Sequence, residues 1–200
     1  MASRASRFPV SDHCDGNRFF NVHDRTMRGL RDVWRWRRQA NPVAWPRKVS
    51  DPPRPLPPDR TEDDALAVTF IGHATFLVRI GPVGVLTDPV FTSHAGPLGK
   101  FGPRRVRPPA FSIEQLPDVR VVLVSHNHYD HLQPASLRAI ERRFAPQFVT
   151  GLGLVPYLKG LGLKRVIELD WWQRTEDSGG TRITYVPAQH FSRRTIRDTN

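Results

Sequence analysis

Hydrophobic and polar positions fall into two regimes along the chain. From Ala65 onward, apolar and β-branched residues come in short runs cut by glycine and proline, as strands with tight turns require. LAVTFIG, ATFLVRI and GVLTDP read as three successive strands, with Gly81 and Pro82 at a turn. The run RVVLVSH is apolar on both faces, which predicts a central, buried strand. A helix is expected after it: in LQPASLRAIERRF, Pro134 suits the first helical turn, and Leu137, Ile140 and Phe144 recur at spacings of three and four. QFVT, RVIEL and TRITYVP predict further strands, with a short helix around VPYLKG. Strands alternating with helices after an opening run of strands indicate a mixed α/β layered fold.

Residues 1–64 are different in texture, rich in Arg and Pro and poor in β-branched residues. DPPRPLPPDR reads as polyproline or extended linker, which places a domain boundary near Asp64. Within this leader MRGLRDVWRWRR predicts one short helix, with Leu30, Val33, Trp34 and Arg37 on one face. The helix is expected to pack on its own domain with solvated arginines; its Trp and Arg content also fits contact with a membrane surface.

Composition narrows the function classes. A length of 200 residues suits one domain with a sizeable core. The formal charge of +11 favours anionic partners: phospholipid head groups, other anionic small molecules or nucleic acid. A specific nucleic-acid module is not expected, because the arginines are scattered through leader and loops. Cys14 is the only cysteine, which excludes an intramolecular disulfide and fits a reducing compartment. MASRASRFPV lacks the apolar run of a signal peptide, and no apolar stretch approaches the roughly 18 residues of a membrane helix. A cytoplasmic protein, soluble or peripheral to the membrane, is therefore expected.

The chemistry concentrates in SHNHYDH, directly after the buried strand. Side chains at i and i+2 of an extended segment share a side, so His126 and His128 can converge on one metal ion. Neutral imidazole is a good zinc ligand, and a catalytic zinc has three protein ligands and an open position. Of the histidines outside the cluster, His190 ends a predicted strand far along the chain and is the candidate third ligand. Water on zinc has a pKa that falls to about 7, so hydroxide becomes available at neutral pH. Asp130 is placed to orient that nucleophile or to bind a second ion, with His131 as its companion. His13 and His23 lie in the leader, where surface histidines are the default, and His94 lies in a Gly/Pro loop; none of these three is given a role.

HNHYDH matches the H-x-H-x-D-H signature of the metallo-β-lactamase superfamily. With IGHATF, LTDPVF, GPRRVRPP, IELDWW and QHFSRRT, the stretch from Leu66 to Asn200 resembles the N-acyl-phosphatidylethanolamine-hydrolysing phospholipases D and their bacterial relatives. The resemblance implies a four-layer αββα sandwich, partial at its C-terminus, over residues 65–200. It also implies a two-zinc site with a bridging hydroxide that attacks a phosphodiester. His126, His128 and His190 would hold one zinc, and Asp130 and His131 would contribute to the other. Asp88 is read as support that orients ligands through hydrogen bonds, and His73 as either structural or catalytic. Other substrates of the same fold, lactones, thioesters and nucleic acid, stay open, as does a non-catalytic metal-binding remnant. The pattern calls for further strands, a bridging aspartate and a last histidine ligand. From ligand counts the second site is expected to be weak, and the chain alone poorly stable or inactive.

Overall fold

The computed structural model describes residues 7–22, 29–62, 65–190, 192 and 194. The chain divides into two compact units, Lys48–Ala188 and Met1–Arg47 with Gln189–Asn200.

In the larger unit, β1 (Leu66–Gly72), β2 (Thr75–Ile80), β3 (Val83–Thr87), β4 (Val121–Val124), β5 (Gln147–Gly151) and β6 (Val166–Leu169) form one sheet in sequence order. The first three strands pair antiparallel through tight turns. From β3 onward the pairing is parallel, and parallel neighbours need a crossover. α2 (Pro134–Phe144) supplies it between β4 and β5, and α3 (Val155–Gly160) between β5 and β6.

The helix after β4 forms where the sequence predicts it. Pro134 occupies the first turn, the Gln133 side chain caps it by accepting from the Ala135 N–H, and the left-handed Ala145 ends it. Leu137 and Ile140 are buried against Leu77, Leu86, Val122, Val124 and Phe148 on one face of the sheet. Alternation along β4 sends Val121 to the opposite face, into a second apolar cluster with Val149 and Leu169. A two-stranded hairpin, β7 (Arg174–Glu176) and β8 (Arg182–Thr184), covers that cluster with Ile183 and Tyr185. β4 is thus covered on both sides, as a run apolar at every position requires. Arg79 is the polar exception: strand parity puts it on the buried face of β2, where its guanidinium donates to the carbonyls of Pro82 (3.1 Å) and Asp118 (2.8 Å).

Two expectations are corrected here. The sequence TRITYVPAQH was read as a strand ending at His190, yet β8 stops at Thr184. Pro187 has no N–H to donate to a ladder, and the chain beyond it is irregular. β7 was not foreseen: three residues of mixed polarity carry no readable period.

In the smaller unit, α1 (Leu30–Gln39) is helical as predicted, and the Asp32 carboxylate caps it by accepting from the Gly29 N–H at 2.9 Å. The expected packing is absent, since every described side chain of Arg31–Gln39 is exposed. The apolar face is narrow and interrupted by Arg37, too little surface to offset the cost of burying its arginines. His13 is buried rather than on the surface, with Nδ1 2.6 Å from the Asp12 carboxylate and its ring beside Phe19. His23 lies outside the described residues.

Candidate metal centre

The site assembles at one end of β1–β4, within the larger unit. β4 ends at Val124, and the chain leaves the sheet as Ser125-His126-Asn127-His128. His126 Nε2 and His128 Nδ1 stand 2.8 Å apart, and the rings meet edge to face. The parity argument for these two side chains therefore holds even though the strand has ended.

Asp88 fixes this segment. It sits just past β3 with φ +35°, a conformation that few non-glycine residues adopt. Its backbone N–H donates to Leu123 O at 2.8 Å, which ties the end of β3 to β4. Its carboxylate accepts three hydrogen bonds: the Ser125 N–H (2.7 Å), the Ser125 hydroxyl (2.7 Å) and His131 Nδ1–H (2.8 Å). Proton placement follows from a carboxylate that can only accept. Ser125 gives its proton to Asp88, so its Oγ accepts from His126 Nδ1–H at 2.8 Å. His126 Nε2 and His131 Nε2 are both left with a lone pair. The hydrogen bond that His131 donates to Asp88 raises the His131 pKa above its ordinary value, against the opposing effect of burial.

Asp130 lies in the turn that follows, half-buried. Burial alone would raise its pKa; its own backbone N–H and the neighbouring His131, His73 and His128 outweigh that and hold it below the usual value. His131 Nε2 is 3.8 Å from Asp130 Oδ2. The rings of His126 and His131 lie 4.2 Å apart, so the histidine pair and this group are contiguous.

His73 enters from the other side. The β1–β2 turn carries it at φ +54°, with Nε2 3.1 Å from Asp130 Oδ2. That turn is held to β3 by Thr87, whose hydroxyl donates to Ala74 O (2.7 Å), and by Thr75, whose hydroxyl donates to Asp88 O (2.7 Å). The Arg105 guanidinium, which donates to the carbonyls of Val90 and Thr92, lies beside the turn: a Cβ at Gly72 would stand 3.0 Å from it. Glycine is favoured there by its backbone, since Gly72 has φ +155°. The hairpin side is closed by Tyr185, whose hydroxyl donates to Ser125 O at 3.4 Å and whose pKa burial raises.

Of the residues singled out in the sequence, His126, His128, Asp130 and His131 thus meet in the larger unit, with Asp88 behind them. His190 is exposed and belongs to the smaller unit. The residue that sequence reasoning undervalued is His73. Its only local signal is a histidine between two predicted strands, in IGHAT, where a turn must open toward a strand end.

The model of the beta-lactamase superfamily domain matches residues 84–200, more than half of the chain. The chain belongs to the metallo-β-lactamase superfamily. The helix-flanked mixed sheet is in keeping with that fold. Among curated relatives of this superfamily member, an uncharacterized Mycobacterium tuberculosis protein is 38% identical over 73% of this chain and 41% of its own length. The N-acyl-phosphatidylethanolamine-hydrolyzing phospholipase D 1 of Caenorhabditis elegans is 37% identical over 71% of this chain and 42% of its own. A mitochondrial N-acyl-phosphatidylethanolamine-hydrolyzing phospholipase D of Saccharomyces cerevisiae is 31% identical over 66% and 29%. The chain therefore spans about two fifths or less of the length of these relatives.

Proposed function

We propose that the protein is a zinc-dependent hydrolase, a phosphodiesterase of phospholipase D type acting on N-acyl-phosphatidylethanolamine-like lipids. The observation that carries this reading is the convergence of His126 Nε2 and His128 Nδ1 at 2.8 Å, beside a histidine and an aspartate. Two nitrogens bound to one tetrahedral zinc at about 2.0–2.1 Å stand about 3.3 Å apart, so a small opening of the pair admits the ion. The donors are those zinc prefers, and the carboxylate behind His131 and the hydroxyl behind His126 are the outer hydrogen bonds that such ligands carry. His190 is assigned as the third ligand of this first ion on the strength of the sequence resemblance. When bound, zinc supplies Lewis acidity and lowers the pKa of water to about 7.

The chain's own groups set up the rest. Asp130, held ionised, orients a water and accepts its proton at a carboxylate oxygen. Asp88 fixes the tautomer of the neutral His131 ring, with the proton on Nδ1 and Nε2 turned to the site. The formal charge of +11 favours an anionic diester over a neutral ester. No helix among the described residues is long and apolar enough to cross a membrane. Contact with the lipid is assigned to α1, whose exposed Trp34 and Trp36 stand among four arginines.

The test begins with zinc per folded monomer, by elemental analysis, for the 200-residue chain and for His126→Ala. The wild type retains zinc and the variant loses one ion. A folded wild type with negligible zinc would sink the reading. Turnover of a diester phospholipid, a lactone and RNA, compared side by side, then distinguishes the substrate; hydrolysis of the lactone or RNA alone would refute the phospholipase assignment.

A further inference from the structure

We infer that the proline-rich segment 51–58, which belongs to the larger unit, is a docking ligand for a partner protein whose domain presents an aromatic-lined groove. The sequence forces its conformation. Pro52, Pro53, Pro55, Pro57 and Pro58 hold φ at about −65°, and Asp51, Arg54 and Leu56 each precede a proline, which keeps them extended. A run restricted at every position has polyproline II as its one regular conformation, with three residues per turn. Residues 51–58 are accordingly in neither helix nor strand.

A period of three sorts these residues onto three ridges, and burial follows the sorting. Asp51, Arg54 and Pro57 share the ridge that faces the domain: Pro57 is buried, and the half-buried Asp51 holds Arg54 (3.1 Å) and Arg107 (3.3 Å). On the other two ridges Pro52, Pro55 and Pro58, and beside them Pro53 and Leu56, are all exposed, Leu56 by 63%. Both ends of the segment are tied down. The Val49 N–H donates to Val106 O (2.7 Å), the Thr61 N–H donates to Gly81 O (3.1 Å), and the Thr61 hydroxyl accepts from the Gly81 N–H (2.7 Å). Gly81 adjoins the Leu66 end of β1, whereas Arg105, next to Val106, lies against Gly72 at the other end. The segment therefore straps the edge strand antiparallel to it. Residues 52–58 rise about 19 Å as polyproline II and β1 about 20 Å, so the lengths agree.

Covering an edge strand requires only the inward ridge. It does not account for two outward ridges made of proline and leucine, where an ordinary surface would be polar. A groove of aromatic rings binds such a helix by packing successive pairs, here Pro52 with Pro53 and Pro55 with Leu56, and a segment already fixed in that conformation loses little entropy on binding. Beside Pro55 and Leu56 a cleft of about 310 Å³, walled on its far side by Val68 and Phe70, gives room for a side chain of the partner.

The probes are purified WW domains of differing motif preference, which read proline-rich segments through such grooves, each titrated calorimetrically against the full chain. Saturable one-to-one binding by at least one domain is expected. Pro52→Ala combined with Pro55→Ala should weaken it at least about tenfold, with a melting temperature within about 2 °C of wild type because both side chains point outward. Leu98→Ala, which removes an exposed apolar side chain outside the strap, should leave binding unchanged. The inference is overturned if no domain of the panel binds saturably, or if the double variant binds as the wild type does. A double variant that melts far below wild type would show the outward ridges to be packed against the domain, and overturns it too.

Discussion

Asp88 shows how much of the site depends on a residue that need touch no metal. Its carboxylate holds Ser125 twice and His131 once, and Ser125 passes the constraint on to His126. Asp88→Asn keeps the shape and tolerates the φ of +35°, but sets an amide N–H against groups that are themselves donors. A loss of about 1–3 kcal/mol of stability is expected, together with a 10- to 100-fold fall in zinc affinity. Thermal unfolding and zinc titration check the two separately. The same hydrogen bond raises the His131 pKa, so in the metal-free variant the His131 ring resonances should titrate at lower pH by NMR. An unchanged His131 midpoint would remove Asp88 from this role.

The elements divide into those that the local pattern specifies and those that packing decides. α2 is of the first kind: an early-turn proline, an apolar stripe at helical spacing and a left-handed exit are all local. α1 is also locally specified, but it buries none of its described side chains. Trp34 and Trp36 are 58% and 66% exposed, and the Arg38 guanidinium already lies 4.0 Å over the Trp34 ring. One face of that indole is thus occupied by the chain's own arginine, which disfavours base stacking and leaves an amphipathic Trp–Arg surface suited to lipid head groups. In co-sedimentation with vesicles containing phosphatidylserine, the double variant Trp34→Ala, Trp36→Ala should bind at least about fivefold less than wild type. Vesicles of neutral lipid should bind weakly in both cases, because each arginine near an anionic surface is worth about 1 kcal/mol. Equal binding by wild type and variant would show that α1 is not the contact.

At the scale of the whole sheet, the two faces are treated unequally. The face toward α2 and α3 is closed. On the other, β7 and β8 cover the cluster around Val121, Val149 and Leu169, while Leu66 and Val68 on β1 remain 63% and 57% exposed. Val78 and Ile80 of β2 pair with them in register, so among the described residues the exposed strip is continuous and apolar. Such a strip binds hydrophobic dyes and promotes association. Val68→Lys is expected to reduce the fluorescence of a bound anilinonaphthalene dye at least twofold, and to change stability by no more than about 0.5 kcal/mol. A large loss of stability would mean that Val68 is covered in solution.

The sequence by itself determined the order of strands and helices from β1 to α3, the double-sided burial of β4 and the HNHYDH segment at its end. Each depends on neighbours within a few residues: strand parity, helical spacing, a proline at a helix start. The same locality explains why the strand was read as running to His190: Pro187 ends the ladder earlier than the apolar run implied. Only the tertiary structure decided that Asp88 grips both Ser125 and His131, and that His73 reaches Asp130. The β1–β2 turn and the end of β4 lie about fifty residues apart in the chain, and they become neighbours because β1, β2, β3 and β4 lie side by side with the turn and the strand end at one edge. Sheet order is set by the sum of many buried contacts. No local pattern around His73 carries that information.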